Sequence, residues 1–132
     1  MWVVKFLLAL LIPMGYLHFH QDKIERLASM PKYHFSYSGG GTMPESETAQ
    51  KEIMDSWMAW FGSLGDSVVD GGNPFGSAKS VSSKGVSDGG VSNLGGYSLV
   101  KANDLAAAVE LAKGCPIIAA GGYVDVYETH EM

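Results

Sequence analysis

Lys32-Tyr-His-Phe-Ser-Tyr-Ser38 decides how this chain is read. Tyr33, Phe35 and Tyr37 alternate with His34, Ser36 and Ser38, a period of two that sends one set to each face of a β-strand. Gly39-Gly-Gly41 ends the strand. Thr42 is followed three residues later by Glu45, with Pro44 between, and resembles a capping box opening a helix. Ala49, Ile53, Trp57, Trp60, Phe61 and Leu64 then recur at helical spacing as one broad apolar stripe, and Gly65 closes it.

After this helix, Asp66-Ser-Val-Val-Asp70 reads as a second short strand, bounded by Gly71-Gly-Asn-Pro74. Phe75 to Leu94 is rich in Gly and Ser, with Lys79-Ser-Val-Ser-Ser83 as its best strand candidate. Gly96 to Lys101 is a firmer strand. Asn103 is a good N-cap for a helix whose buried stripe is Leu105, Ala108, Val109 and Ala112, and Gly114 and Pro116 supply its stop. Tyr123 to Glu128 alternates again as the last strand.

The order β-α-β-(β)-β-α-β predicts an α+β fold, a ferredoxin-like split βαβ sandwich with two helices on one face of an antiparallel sheet. Such a sheet leaves its second face uncovered, and sheets of this kind pair face to face. A homodimer formed through the sheet is the economical expectation.

Residues 1–29 are expected to be an extension outside the core, and residues 30–132 the domain. Phe6 to Ile12 is an unbroken apolar run after Lys5, far below the roughly 20 residues that span a bilayer. The charged stretch His18 to Arg26 follows where a signal cleavage region should be short and small. Three readings stand: an upstream extension with Met30 as the true start, a targeting or anchoring leader, and a genuine added helix. The first and last imply a cytoplasmic protein, the second an exported one.

The formal net charge is -5, and residues 30–132 carry 6 basic and 12 acidic side chains. That balance and the scatter of the basic residues argue against a nucleic-acid surface. A single cysteine, Cys115, excludes an internal disulfide and fits a packing role in a reducing compartment. No cofactor motif is present: Gly39-Gly-Gly41 lacks the Lys of a phosphate loop, and His18, His20 and His130 form no metal set.

The helix Trp57-Met-Ala-Trp60-Phe-Gly-Ser-Leu-Gly65, the turn Asp70-Gly-Gly-Asn-Pro74, Asp88-Gly89, Leu94-Gly-Gly-Tyr97, Leu105-x-x-Ala108-Val-x-Leu-Ala112, Pro116 and Gly122-x-Val-x-Val126 resemble the YCII-related, or DGPF-domain, family. The likeness covers roughly residues 32–128. It implies a ferredoxin-like fold of the dimeric α/β-barrel type, with a pocket between sheet and partner. In some members it implies lyase or dehydrochlorinase chemistry on small aromatic compounds through a His and Asp pair. This chain departs from the pattern at Gly90-Val91, where the signature would continue Pro-Phe, and at Trp57 and Trp60, where some members carry His.

Among candidate catalytic residues, His34 on the open strand face is an acid or base near neutral pH, and Asp70 or Asp88 would orient it if either came within reach. The plainer reading makes His34 an interface histidine and the two aspartates turn residues. Ser36, Tyr97 and Tyr123 are candidate ligand-binding residues, Tyr127 adds to their aromatic set, and packing is the plainer role of these tyrosines. Two functional classes follow: a small-molecule-binding homodimer, and a small lyase or isomerase-like enzyme using His34 with Asp70 or Asp88.

Overall fold

The computed structural model describes residues 13–132; the apolar run Phe6 to Ile12, and with it the leader reading, lies outside the described residues. Contacts divide the chain after Met30. In the first unit a helix, α1 (Met14–Ser29), begins after Pro13, whose carbonyl accepts from the amides of Tyr16 and Leu17. None of its residues is buried. His18 faces the Asp22 carboxylate one turn on, at 3.5 Å, a neighbour created by helical spacing. Among the described residues no helix is long and apolar enough to cross a membrane.

The second unit, Pro31–Met132, holds β1 (Lys32–Ser38), α2 (Glu47–Leu64), a 3-10 turn (Gly65–Ser67), β2 (Val68–Asp70), β3 (Lys79–Ser82), β4 (Gly85–Asp88), β5 (Leu94–Lys101), α3 (Leu105–Ala112), α4 (Pro116–Ala119) and β6 (Tyr123–Glu128). It is a mixed α and β structure. A four-stranded antiparallel sheet runs in the order β2-β5-β1-β6, and β3 with β4 forms a separate hairpin. β1 therefore lies at the centre, paired with β5 on one side and β6 on the other.

The alternation in β1 does what its period requires. Tyr33, Phe35 and Tyr37 are buried, and they share one core with Trp60 and Leu64 of α2 and Ala108 and Ala112 of α3. Phe35 stacks on Trp60 at 6.3 Å between ring centres, while Tyr37 meets Trp57 edge-on at 5.0 Å. The Trp60 indole N–H donates to the Leu111 carbonyl at 3.1 Å, joining α2 to α3 through one buried ring. Removing a ring such as that of Phe35 would cost about 3 to 5 kcal/mol, the usual range for an aromatic residue truncated in a core.

Several local expectations shift. α2 begins four residues later than the capping-box pattern at Thr42 suggests: Ser46 is its N-cap, accepting from the Ala49 amide. The three glycines at 39–41 all have positive φ, so the chain stays irregular until Ser46, itself a favoured capping residue. α3 is capped by Asp104 rather than Asn103, with the Ala107 amide 2.8 Å from its carboxylate. Only Ala108 and Ala112 of its stripe are buried, whereas Leu105 and Val109 stand more than a third exposed beside β6. Pro116 does not simply end a helix. It opens the short α4, where a proline is tolerated because the first amides lack partners anyway. The Gly/Ser-rich region holds two strands, turning at Ser83-Lys84 into Gly85 with φ 121°.

Gly72 requires glycine. Its φ is 72°, and a Cβ built there would lie 1.7 Å from the Tyr97 carbonyl oxygen. Gly72→Ala is therefore expected to destabilise the unit by at least about 2 kcal/mol in urea denaturation, through steric overlap with backbone that cannot yield. A midpoint equal to that of the parent chain would contradict this packing.

Candidate functional site

Two surfaces deserve comparison, one on each face of the sheet. The open face carries the residues singled out in the sequence. His34 and Ser36 point to it from β1, and the hydroxyl of Ser36 lies 3.0 Å from His34 Nδ1. Tyr97 stacks on the His34 imidazole at 5.7 Å with the rings within 2° of parallel, and Phe75 stacks on Tyr97 from the far side. Tyr127, opposite His34 in the β1–β6 register, approaches at 6.4 Å. Phe75, Tyr97, His34 and Tyr127 thus form one row of rings across the sheet.

Asp70 and Asp88 do not join this row. Asp70 ends β2 and accepts from the Gly72 amide at 2.8 Å, which is turn chemistry. Asp88 lies in the hairpin and pairs with Lys79 across it. Tyr123 is exposed and pairs with Ser38 at the start of β6, two residues further along the strand pair than Ser36. The carboxylate that the register sets opposite Ser36 is Asp125, absent from the sequence-derived candidates. Alternation within Tyr123 to Glu128 is the signal that could have found it, since Tyr123, Asp125 and Tyr127 share a face. Ser36 is only 3% exposed, so its hydroxyl serves His34 more readily than an incoming molecule.

The other surface is a cleft of about 1180 Å³ under α2, at the end of the sheet where β1 finishes and β5 begins. Its origin is a contrast of side-chain sizes. On the covered face β1 presents Tyr33, Phe35 and Tyr37, while β5 presents Gly96, Ser98 and Val100, all buried. The aromatic rings hold α2 away from the sheet, and Gly41 and Gly71, where a Cβ would meet nothing within 4 Å, put no side chain into the space left over. Trp57, Trp60 and Tyr37 form one wall, Met43 and Met54 stand at its edge, and Ile117 with Pro116 of α4 closes another side.

A hydroxyl relay fixes the floor. Tyr37 donates to Ser98 Oγ at 2.9 Å, and Ser98 in turn donates to the Gly71 carbonyl at 2.6 Å. Burial drives the Tyr37 phenol well above its ordinary range, an effect that outweighs the Ser98 hydrogen bond, so this hydroxyl stays protonated. Beside it, burial pushes the Cys115 thiol up from 9.0 to about 11, against a smaller lowering by the Ile117 amide. A thiol so placed is a packing group and not a nucleophile.

Among the described residues no three His, Cys, Asp or Glu side chains converge on a point where a metal ion could sit. No family model matches the chain, and no curated protein matches it.

The buried thiol yields a pH test. Below pH 9.0 both folded and unfolded chains hold the Cys115 proton; above it the unfolded chain releases it first. The stability it contributes is therefore full below pH 9.0 and lost as pH climbs through about 11. Cys115→Ala should flatten the alkaline limb of a denaturation series between those values. An unchanged limb would show that the thiol ionises alike in both states.

Proposed function

We propose that residues 31–132 form a small-molecule-binding domain of the YCII-related type, acting as a homodimer, with the cleft under α2 as its ligand site in place of the pocket between sheet and partner that the resemblance implies. The carrying observation is that cleft, apolar and aromatic-walled and, at about 1180 Å³, somewhat larger than the roughly 300–1,000 Å³ usual for small-molecule sites. The strand order supports the ferredoxin-like assignment. β2 lies two places from β1 with β5 between them, and β6 lies two places from β5 with β1 between them. Two interleaved βαβ units, with the β3–β4 hairpin as an insertion, account for that order.

The dimer is supported by the open face. Tyr123 and Tyr127 are 69% and 56% exposed there, beside half-buried Leu99 and the stacked Tyr97–His34 pair. Covering this face with a second copy would remove a continuous aromatic surface from water.

A second reading, acid-base catalysis at His34, is favoured by its contacts with Ser36 and Tyr97. It lacks the expected help from Asp70 or Asp88, both of which are engaged elsewhere.

Two measurements test the proposal. Nile red, an uncharged dye, should show saturable fluorescence enhancement that disappears in Ala59→Phe, where a ring on α2 fills the cleft; enhancement indifferent to this variant sinks the ligand site. Light scattering should give twice the 14.1 kDa chain mass, and a folded monomer for Leu99→Lys. A parent chain that is monomeric at micromolar concentration removes the dimer.

A further inference from the structure

We infer that the cleft under α2 selects uncharged, flat ring compounds and rejects the same rings when they carry an ionised group. This deepens the ligand-site reading above and rests on it. The first support is the composition of the wall: among the described residues that line the cleft there is no Asp, Glu, Lys, Arg or His. An ion laid against the buried ring wall would lose water on that side and meet no countercharge, a loss that an apolar wall does not offset. The chain as a whole has charged side chains in ordinary supply, 9 basic and 14 acidic, so their absence from so large a lining is a feature of this place.

The second support is the shape of the apolar wall. Trp57 and Trp60 stand edge to face at 5.8 Å and 81°, and Tyr37 meets Trp57 at the same steep angle. Rings set at right angles leave the face of one beside the edge of the next, an arrangement that receives another ring by stacking or edge contact. Met43 and Met54, both more than half exposed, can adapt their unbranched chains to the outline of the ligand.

The polar groups that remain are neutral. Thr42 and Asn73 line the cleft and offer a hydroxyl and an amide, while Ser56 and Ser63 donate to the Glu52 and Trp60 carbonyls and can only accept, enough to orient a hydroxyl on a ring without neutralising a charge. The Tyr37 hydroxyl is already committed to Ser98 and supplies no anion.

Three probes of one shape test the inference on the full chain: 2-naphthalenemethanol, the 2-naphthoate anion and the 2-naphthylmethylammonium cation. Binding is followed through the indole N–H resonances of Trp57 and Trp60, assigned by single Trp→Phe replacements, in the parent chain and in Ala59→Phe. The neutral alcohol should bind at least about tenfold more tightly than either ion, with its affinity abolished by Ala59→Phe. Equal or tighter binding of an ion that still depends on Ala59 overturns charge rejection and leaves the ligand site standing. If no probe moves either indole, or if Ala59→Phe changes nothing, the ligand site falls and this inference falls with it.

Discussion

The packing of Trp60 against the aromatic face of β1 is the contact on which the rest of the unit depends. Phe35 lies against its ring, Tyr37 and Trp57 meet it edge-on, and its N–H reaches across to the Leu111 carbonyl of α3. One side chain thereby sets the height of α2 above the central strand and ties the two longer helices of the unit together. Because a flat ring system cannot compress, α2 cannot descend onto the small residues of β5. The cleft is the space left by that mismatch.

The two faces of the sheet thus follow from one short sequence. The odd-numbered positions of β1 build the core and, indirectly, the cleft. The even-numbered ones contribute His34 and Ser36 to a row of rings on the opposite side. A change at an aromatic position of β1 acts on helix packing, whereas a change at His34 acts on Ser36 and the rings stacked beside it.

Much of this was legible in the sequence, and the exceptions have physical reasons. β1, β5 and β6 announced themselves because alternation survives when each face meets a different environment. The two longer helices of the unit, α2 and α3, were visible, yet each start was displaced, by four residues for α2 and one for α3, since several capping residues stand in a row and only tertiary geometry selects one. β4 was hidden because a short exposed hairpin gains little from side-chain pattern: Val81 and Val86 face one another across it, both mostly exposed. The ring neighbours of His34 were half legible, for alternation put Tyr97 and Tyr127 among the candidates, whereas Asp125 needed the strand register to come into view. The cleft was illegible for a deeper reason. Gly41 and Gly71 border it where a Cβ would meet nothing within 4 Å, and nothing in a run of glycines distinguishes a turn from the edge of a cavity.

The tail of β6 also returns to the beginning of the unit. The amide and hydroxyl of Thr129 both donate to the Lys32 carbonyl, at 3.1 and 2.7 Å, so the chain leaves the sheet beside the place where β1 starts. In its connectivity residues 31–132 therefore come close to a ring with one peptide link missing. A short Gly/Ser linker joining the two ends, with new termini opened at the exposed Ser83-Lys84 turn, would preserve every strand pairing of the four-stranded sheet. The strand order β2-β5-β1-β6 is thus compatible with more than one order of writing the chain.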